Sequence, residues 1–170
     1  MPEHFAQLIR KYEDAIILAW VEEVYADSRT ELPAMLSYGQ LVNHMPELLA
    51  ELARVLDGAD SEGEIIEGAK RLRAHAQVRF YQGALVDEVA QELMLFRKVF
   101  SEFLWREGMS VTGRDLWRLR NALRLASRFL DEVIVQSLIV FAASLRPPVQ
   151  TRTSIWPPMR RRELRPQGSD

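Results

Sequence analysis

The stretch LRAHAQVRFYQG, Leu72 to Gly83, decides how the rest of the chain is read. As a helix it places His75, Arg79 and Gly83 at i, i+4 and i+8, one above another on a single face. Gly83 suits the left-handed end of a helix. Beyond it, ALVDEVAQELMLF resumes a three- and four-residue apolar spacing. Together these segments predict an antiparallel helical hairpin turning at Gly83. Arg79 then comes level with about Asp87 and Glu88, and His75 with about Gln91 and Glu92, so opposite charges meet across the facing helices.

Three roles fit such a row. It is a polar clamp that fixes the register of the hairpin, since charged groups near a core are normally paired. Alternatively it lines a small polar pocket or pH-sensitive switch around His75. In a third reading His75 is an axial haem ligand, which needs an apolar pocket with an open distal side. His44, directly before Met45-Pro46, suits a helix start or kink. The candidate seam or pocket is therefore His75, Arg79, Glu88, Glu92, Arg97 and His44.

Working outward, apolar residues keep helical spacing almost throughout, and no segment alternates with period two for long, so the expected fold is all-α. A first helix over about 4–27 carries Phe5, Leu8, Tyr12, Ile16, Ala19, Trp20 and Val24 on one side, and Pro33 marks a connection. The second helical region, about 38–57, must break or restart near Pro46, which lacks a donor and clashes one turn back. Ser61 and Glu64 predict a capping box opening a third helix over about 62–82, each side chain satisfying an orphan amide. The fourth helix, about 84–107, turns Leu85, Val89, Leu93, Phe96, Phe100 and Phe103 inward and stops at Gly108. A fifth, about 113–145, carries the stripe Leu116, Leu119, Leu123, Leu130 and Ile134. It is apolar on further sides through Phe129, Val133, Val140 and Phe141, as expected of a helix buried in the core or packed on a second chain. Trp117, Phe129, Val133 and Val140 are its candidate dimer contacts. Trp20, Trp105 and Trp117 are read as packing.

The chain of 170 residues has room for one domain and a tail, at 1–146 and 147–170. A hydrophobic share of 48% beside 27% charge is that of a globular protein. No apolar run is long enough for a membrane span, and the first residues carry no signal-peptide core, so a cytoplasmic location is expected. Cysteine is absent, which excludes disulfides and thiolate chemistry. From Arg146 onward six arginines face two acids, leaving +4 there and −6 on residues 1–145. An acidic body argues against nucleic-acid binding by the domain itself. The Pro- and Arg-rich tail is expected to be disordered. Its Trp156 and Arg160, Arg161 and Arg162 are candidate docking residues, and the arginines are the one route to nucleic acid.

Phosphate loops, nucleophile elbows and paired-histidine metal spacing are all missing. The three histidines, His4, His44 and His75, lie far apart in the sequence. No catalytic residue, no metal and no cofactor are expected, haem at His75 being the alternative.

In order, five segments resemble one family. ILAWVEEV (Ile17 to Val24) is similar to its opening pattern, and LVNHMPELLAEL (Leu41 to Leu52) to its "L…H.P.LL..L". AHAQVRFYQG (Ala74 to Gly83) is similar to "HA..R...G", QELMLFR (Gln91 to Arg97) places Glu92 and Arg97 as in "E….LR", and FLDEVIVQSL (Phe129 to Leu138) is similar to a late segment. The family is the RsbRD-type amino-terminal domain of RsbT co-antagonists and some sensor kinases. The resemblance spans about residues 5–145 and implies a globin-like helical domain, usually without haem, that forms a homodimer and feeds a partner in a bacterial stress or two-component pathway. It implies no catalytic residue. Family members usually continue into a STAS or kinase domain. The short basic tail here leads to the expectation of a stand-alone sensor or adaptor, or of one domain of a longer protein.

Overall fold

A computed structural model describes residues 4–145, which form helices and turns with no strand among them. The helices are α1 (Phe5–Ala26), α2 (Leu32–Met35), α3 (Tyr38–Val42), α4 (Met45–Leu56), α5 (Glu62–Arg71), α6 (Arg73–Tyr81), α7 (Val86–Thr112) and α8 (Leu116–Ser144). The all-α bundle is thus as expected; α3 is the short helix expected before the break at Pro46, and α2 is an added turn in the connection at Pro33. No described helix is long and apolar enough to cross a membrane. The tail, with Trp156 and Arg160 to Arg162, lies outside the described residues.

The long helices α7 and α8 form an antiparallel hairpin, and α1, α4, α5 and α6 pack around it. Trp20, Leu48, Leu52, Phe96, Phe100, Phe129 and Leu130 meet in one continuous core. Burying each such side chain contributes about 1.5–3 kcal/mol. The start of α1 is tied to the end of α4, where Asp57 Oδ1 and Oδ2 accept from the amides of Phe5 (2.9 Å) and Ala6 (3.0 Å).

Pro46 acts as its chemistry demands. Helix α3 stops at Val42, and α4 restarts with proline in its first turn, where no amide donor is needed. Ser61 accepts from the Glu64 amide at 3.3 Å, but the Glu64 carboxylate accepts from the Ser61 hydroxyl, so only half of the expected box forms. A complete one joins Ser37 and Gln40 instead.

Several expectations need correction. The third helix divides at Leu72 into α5 and α6, although the apolar spacing runs unbroken through Ile65, Ala69, Leu72 and Ala76. Gly108 does not end α7. A Cβ there would lie 2.8 Å from Leu119 Cδ1, so this glycine serves close packing of α7 on α8, and Gly113 at φ 63° makes the stop. Asp115 then caps α8 by accepting from the amides of Trp117 and Arg118. Leu85 and Leu116, just outside or at the first turn of a helix, point outward at 65% and 62% exposure. Trp105 and Trp117 are exposed as well rather than packed. Phe129, Val133 and Val140 lie in the chain's own core and offer no surface to a second copy. Of the four candidate dimer contacts only Trp117 is exposed.

Candidate functional site

The chain turns at Gly83 as predicted, at φ 88°, but α6 packs mainly on α8 and meets α7 only locally, so a buried ionic network rather than a close antiparallel hairpin joins α6 to α7. Glu92 on α7 is 1% exposed and Arg79 on α6 is fully buried. An unpaired carboxylate at that depth costs several kcal/mol, so its partners decide whether the fold tolerates it. Arg79 Nε donates to both Glu92 oxygens (3.1 and 3.3 Å), and Nη2 donates to Oε2 at 3.1 Å. His75 Nε2 lies 2.6 Å from Oε1. An ionised carboxylate only accepts, so the imidazole carries the proton of that bond.

The remaining guanidinium hydrogens bond elsewhere. Nη1 donates to Gln40 O (3.1 Å) and Gln82 Oε1 (3.0 Å), while Nη2 donates to Leu41 O at 2.9 Å. Those carbonyls lie toward the end of α3, where intrahelical partners run out. One arginine thus ties α3, α6 and α7 together. Trp20 Nε1 on α1 adds a bond to the backbone carbonyl of Glu92 at 3.0 Å.

His44, the residue preceding α4, completes the group. Its ring stacks on that of His75, centroids 3.4 Å apart and planes 20° from parallel, and meets Trp20 edge-on at 6.2 Å. It makes no capping hydrogen bond for α4. Burial, followed by the positive charge of His75, holds the His44 imidazole well below its usual 6.5; Glu92 opposes this and Arg79 adds to it. For Glu92, burial pushes the carboxyl up, but the charge and hydrogen bond of His75 and the charge of Arg79 outweigh it and bring it down to about 2.

The seam therefore unites His44, His75, Arg79 and Glu92, and leaves out two of the six residues predicted for it. Glu88 lies one turn before Glu92 on α7 and is engaged elsewhere. Its carboxylate accepts from the amides of Leu85 (3.0 Å) and Glu31 (3.1 Å), capping α7 and holding the connection before α2. Arg97 lies further along α7 and pairs with Asp131 of α8. His75, as a haem ligand, would first have to give up its bond to Glu92.

A second polar line was not legible in the sequence. Arg73 Nε on α6 donates to Gln136 Oε1 on α8 at 2.8 Å, and Gln136 Nε2 donates to Glu132 Oε1 at 2.8 Å. Arg128 bridges Glu132 (3.1 Å) to Glu62 of α5 (2.8 Å). Gln136 and Ser137 interrupt an apolar run, and that interruption is the only signal of it.

Beside the histidines a cavity of about 220 Å³ is lined by Gln40, Asn43, His44, Glu47, His75 and Gln82 among others. A larger cleft of about 360 Å³ between α1 and α4 is lined by Ala6, Ile9, Pro46, Leu49 and Ala53 and rimmed by the charged Arg10, Glu13, Arg54 and Asp57. The smaller cavity opens on the buried ionic network and is the candidate site. Comparison with known protein families, with curated proteins and with solved structures finds no match for this chain.

Proposed function

We propose that this chain is a non-enzymatic input domain of a bacterial signalling pathway, of the stress-response or two-component kind, acting as a homodimer on a partner protein. The observation that carries the reading is the convergence of α3, α4, α6 and α7 on the buried carboxylate of Glu92, directly or through its partners, with α1 bonded to the backbone carbonyl of the same residue. A change of charge or ligand at such a node disturbs five elements together. Arg73, two residues before His75, extends the connection to Gln136 of α8. Val135, Leu138 and Ile139 flank Gln136 in the chain and are exposed, an apolar strip suited to a second copy. The globin-like, dimer-forming input role implied by the family resemblance agrees with this arrangement. A signal must bind two arrangements of the helices unequally to act through it.

Sedimentation of the purified chain at micromolar concentration tests the reading. A dimer whose association constant changes in Glu92→Gln supports it. A chain that stays monomeric across that range contradicts it.

A further inference from the structure

The clamp formed by Arg79, His75 and Glu92 is complete without His44. The side chain of His44 neither caps α4 nor joins the ion pair, yet it is held face to face with His75. The candidate ligand atoms of His44, His75 and Glu92 all lie within 4.8 Å of one another. We propose that His44, His75 and Glu92 form a binding site for a divalent first-row transition ion, with the ion replacing the proton now shared between His75 Nε2 and Glu92 Oε1. The site stands on these three side chains whether or not the chain signals.

The donor set selects the class of ion. Two imidazoles and one carboxylate suit Zn²⁺, Co²⁺ or Ni²⁺, whereas Mg²⁺ and Ca²⁺ prefer oxygen alone. Two ligands with bonds of about 2.0–2.1 Å around a tetrahedral ion sit roughly 3.3 Å apart. The 2.6 Å separation of His75 Nε2 and Glu92 Oε1 therefore has to open by less than about 1 Å. His44 must tilt out of its stack to aim a nitrogen at the same point. It stands at a helix start beside a cavity of about 220 Å³, which leaves room for that movement and for the ion to approach.

Glu92 is held in place for the task. Arg79 grips Oε2 through Nη2 and reaches both oxygens through Nε, so Oε1 faces the histidine while sharing the Nε hydrogen, which a bound ion would leave to Oε2. Ligating carboxylates are commonly fixed in this way by an outer partner. The guanidinium charge opposes a cation, and Glu47 answers it: this exposed carboxylate lines the same cavity, three residues after His44. It supplies a second negative charge at the cavity, and the fourth position is left to water.

The test uses the full chain, untagged and stripped with chelator, titrated with Co²⁺ and followed by its visible absorption. The expected result is one Co²⁺ per chain at micromolar affinity, with the intense bands of a four-coordinate ion, displaced by Zn²⁺ but not by Mg²⁺. His44→Ala, which leaves the clamp intact, is expected to weaken binding at least tenfold while keeping the wild-type circular dichroism. Binding undiminished in a folded His44→Ala chain overturns the site, as does a wild-type chain that takes up no Co²⁺. If His44→Ala does not fold, ring ¹⁵N resonances of the wild type decide. Zn²⁺ should move those of His44 and His75 and leave His4 unmoved; any other pattern overturns the assignment.

Discussion

The imidazole of His44 lies flat against that of His75, ring centroids 3.4 Å apart, although the two residues belong to different helical segments and only His75 touches a carboxylate. One ring is thus hydrogen-bonded to the carboxylate that Arg79 pairs with, and the other is kept beside it. The stack joins the start of α4 to α6 at the depth where Arg79 joins α3 to α7.

Arg79→Met should be among the most destabilising single changes outside the apolar core. It leaves Glu92 buried without its main charge partner and strips the α3 carbonyls of their donor. A loss of about 3–5 kcal/mol is expected from urea unfolding. Arg79→Lys keeps the charge but not the five-donor fork, and should still lose roughly 1–3 kcal/mol.

Acid should weaken the fold in two stages. The folded His44 resists protonation, so the unfolded chain gains a proton first as pH falls below 6.5, and stability declines from there. Glu92, lowered to about 2 from 4.5, contributes stability that is full above 4.5 and is lost as pH falls toward 2. Urea midpoints measured between pH 7 and pH 3 should fall throughout. In Glu92→Gln the lower stage should flatten, while in His44→Ala the upper one should.

Two glycines in helices should respond oppositely to alanine. At Gly63 an added Cβ meets nothing within 4 Å, so Gly63→Ala should stabilise by about 0.4–1 kcal/mol. At Gly108 the same helix gain of about 1 kcal/mol meets overpacking against Leu119, which costs about 1–3 kcal/mol. Gly108→Ala should therefore be neutral to destabilising by about 2 kcal/mol in thermal or urea unfolding.

The faces of α8 should also separate. Ile139→Glu places a charge on an exposed position and should dissociate a dimer without lowering the stability of the single chain. Val133→Glu buries an unpaired charge and should prevent folding at all. Sedimentation and circular dichroism of the two variants distinguish these outcomes.

Much of this was legible in the sequence because helical periodicity and punctuation are local. The spacing around His75, Arg79 and Gly83 placed the turn after α6, and Pro46 located the restart of α4. What periodicity cannot carry is the rotation and axial offset of one helix against another. For that reason the spacing put Arg79 opposite Glu88 and His75 opposite Glu92, whereas both meet Glu92. Likewise Gly108 reads as a stop until Leu119 is seen against it. Phe129, Val133 and Val140 look like surplus apolar surface, yet α4, α5, α6 and α7 all pack on α8 and cover it. The approach of His44 to His75 is a tertiary fact with no trace in the spacing of either segment.

Amide hydrogen exchange, compared between the wild type and Glu92→Gln under conditions where both remain folded, tests the role of Glu92 as the node of the domain most directly. Altered protection is expected in α3, α4 and α6 and also in α8 around Gln136, reached through Arg73. Changes confined to α6 and α7, with α8 protected as in the wild type, would contradict it.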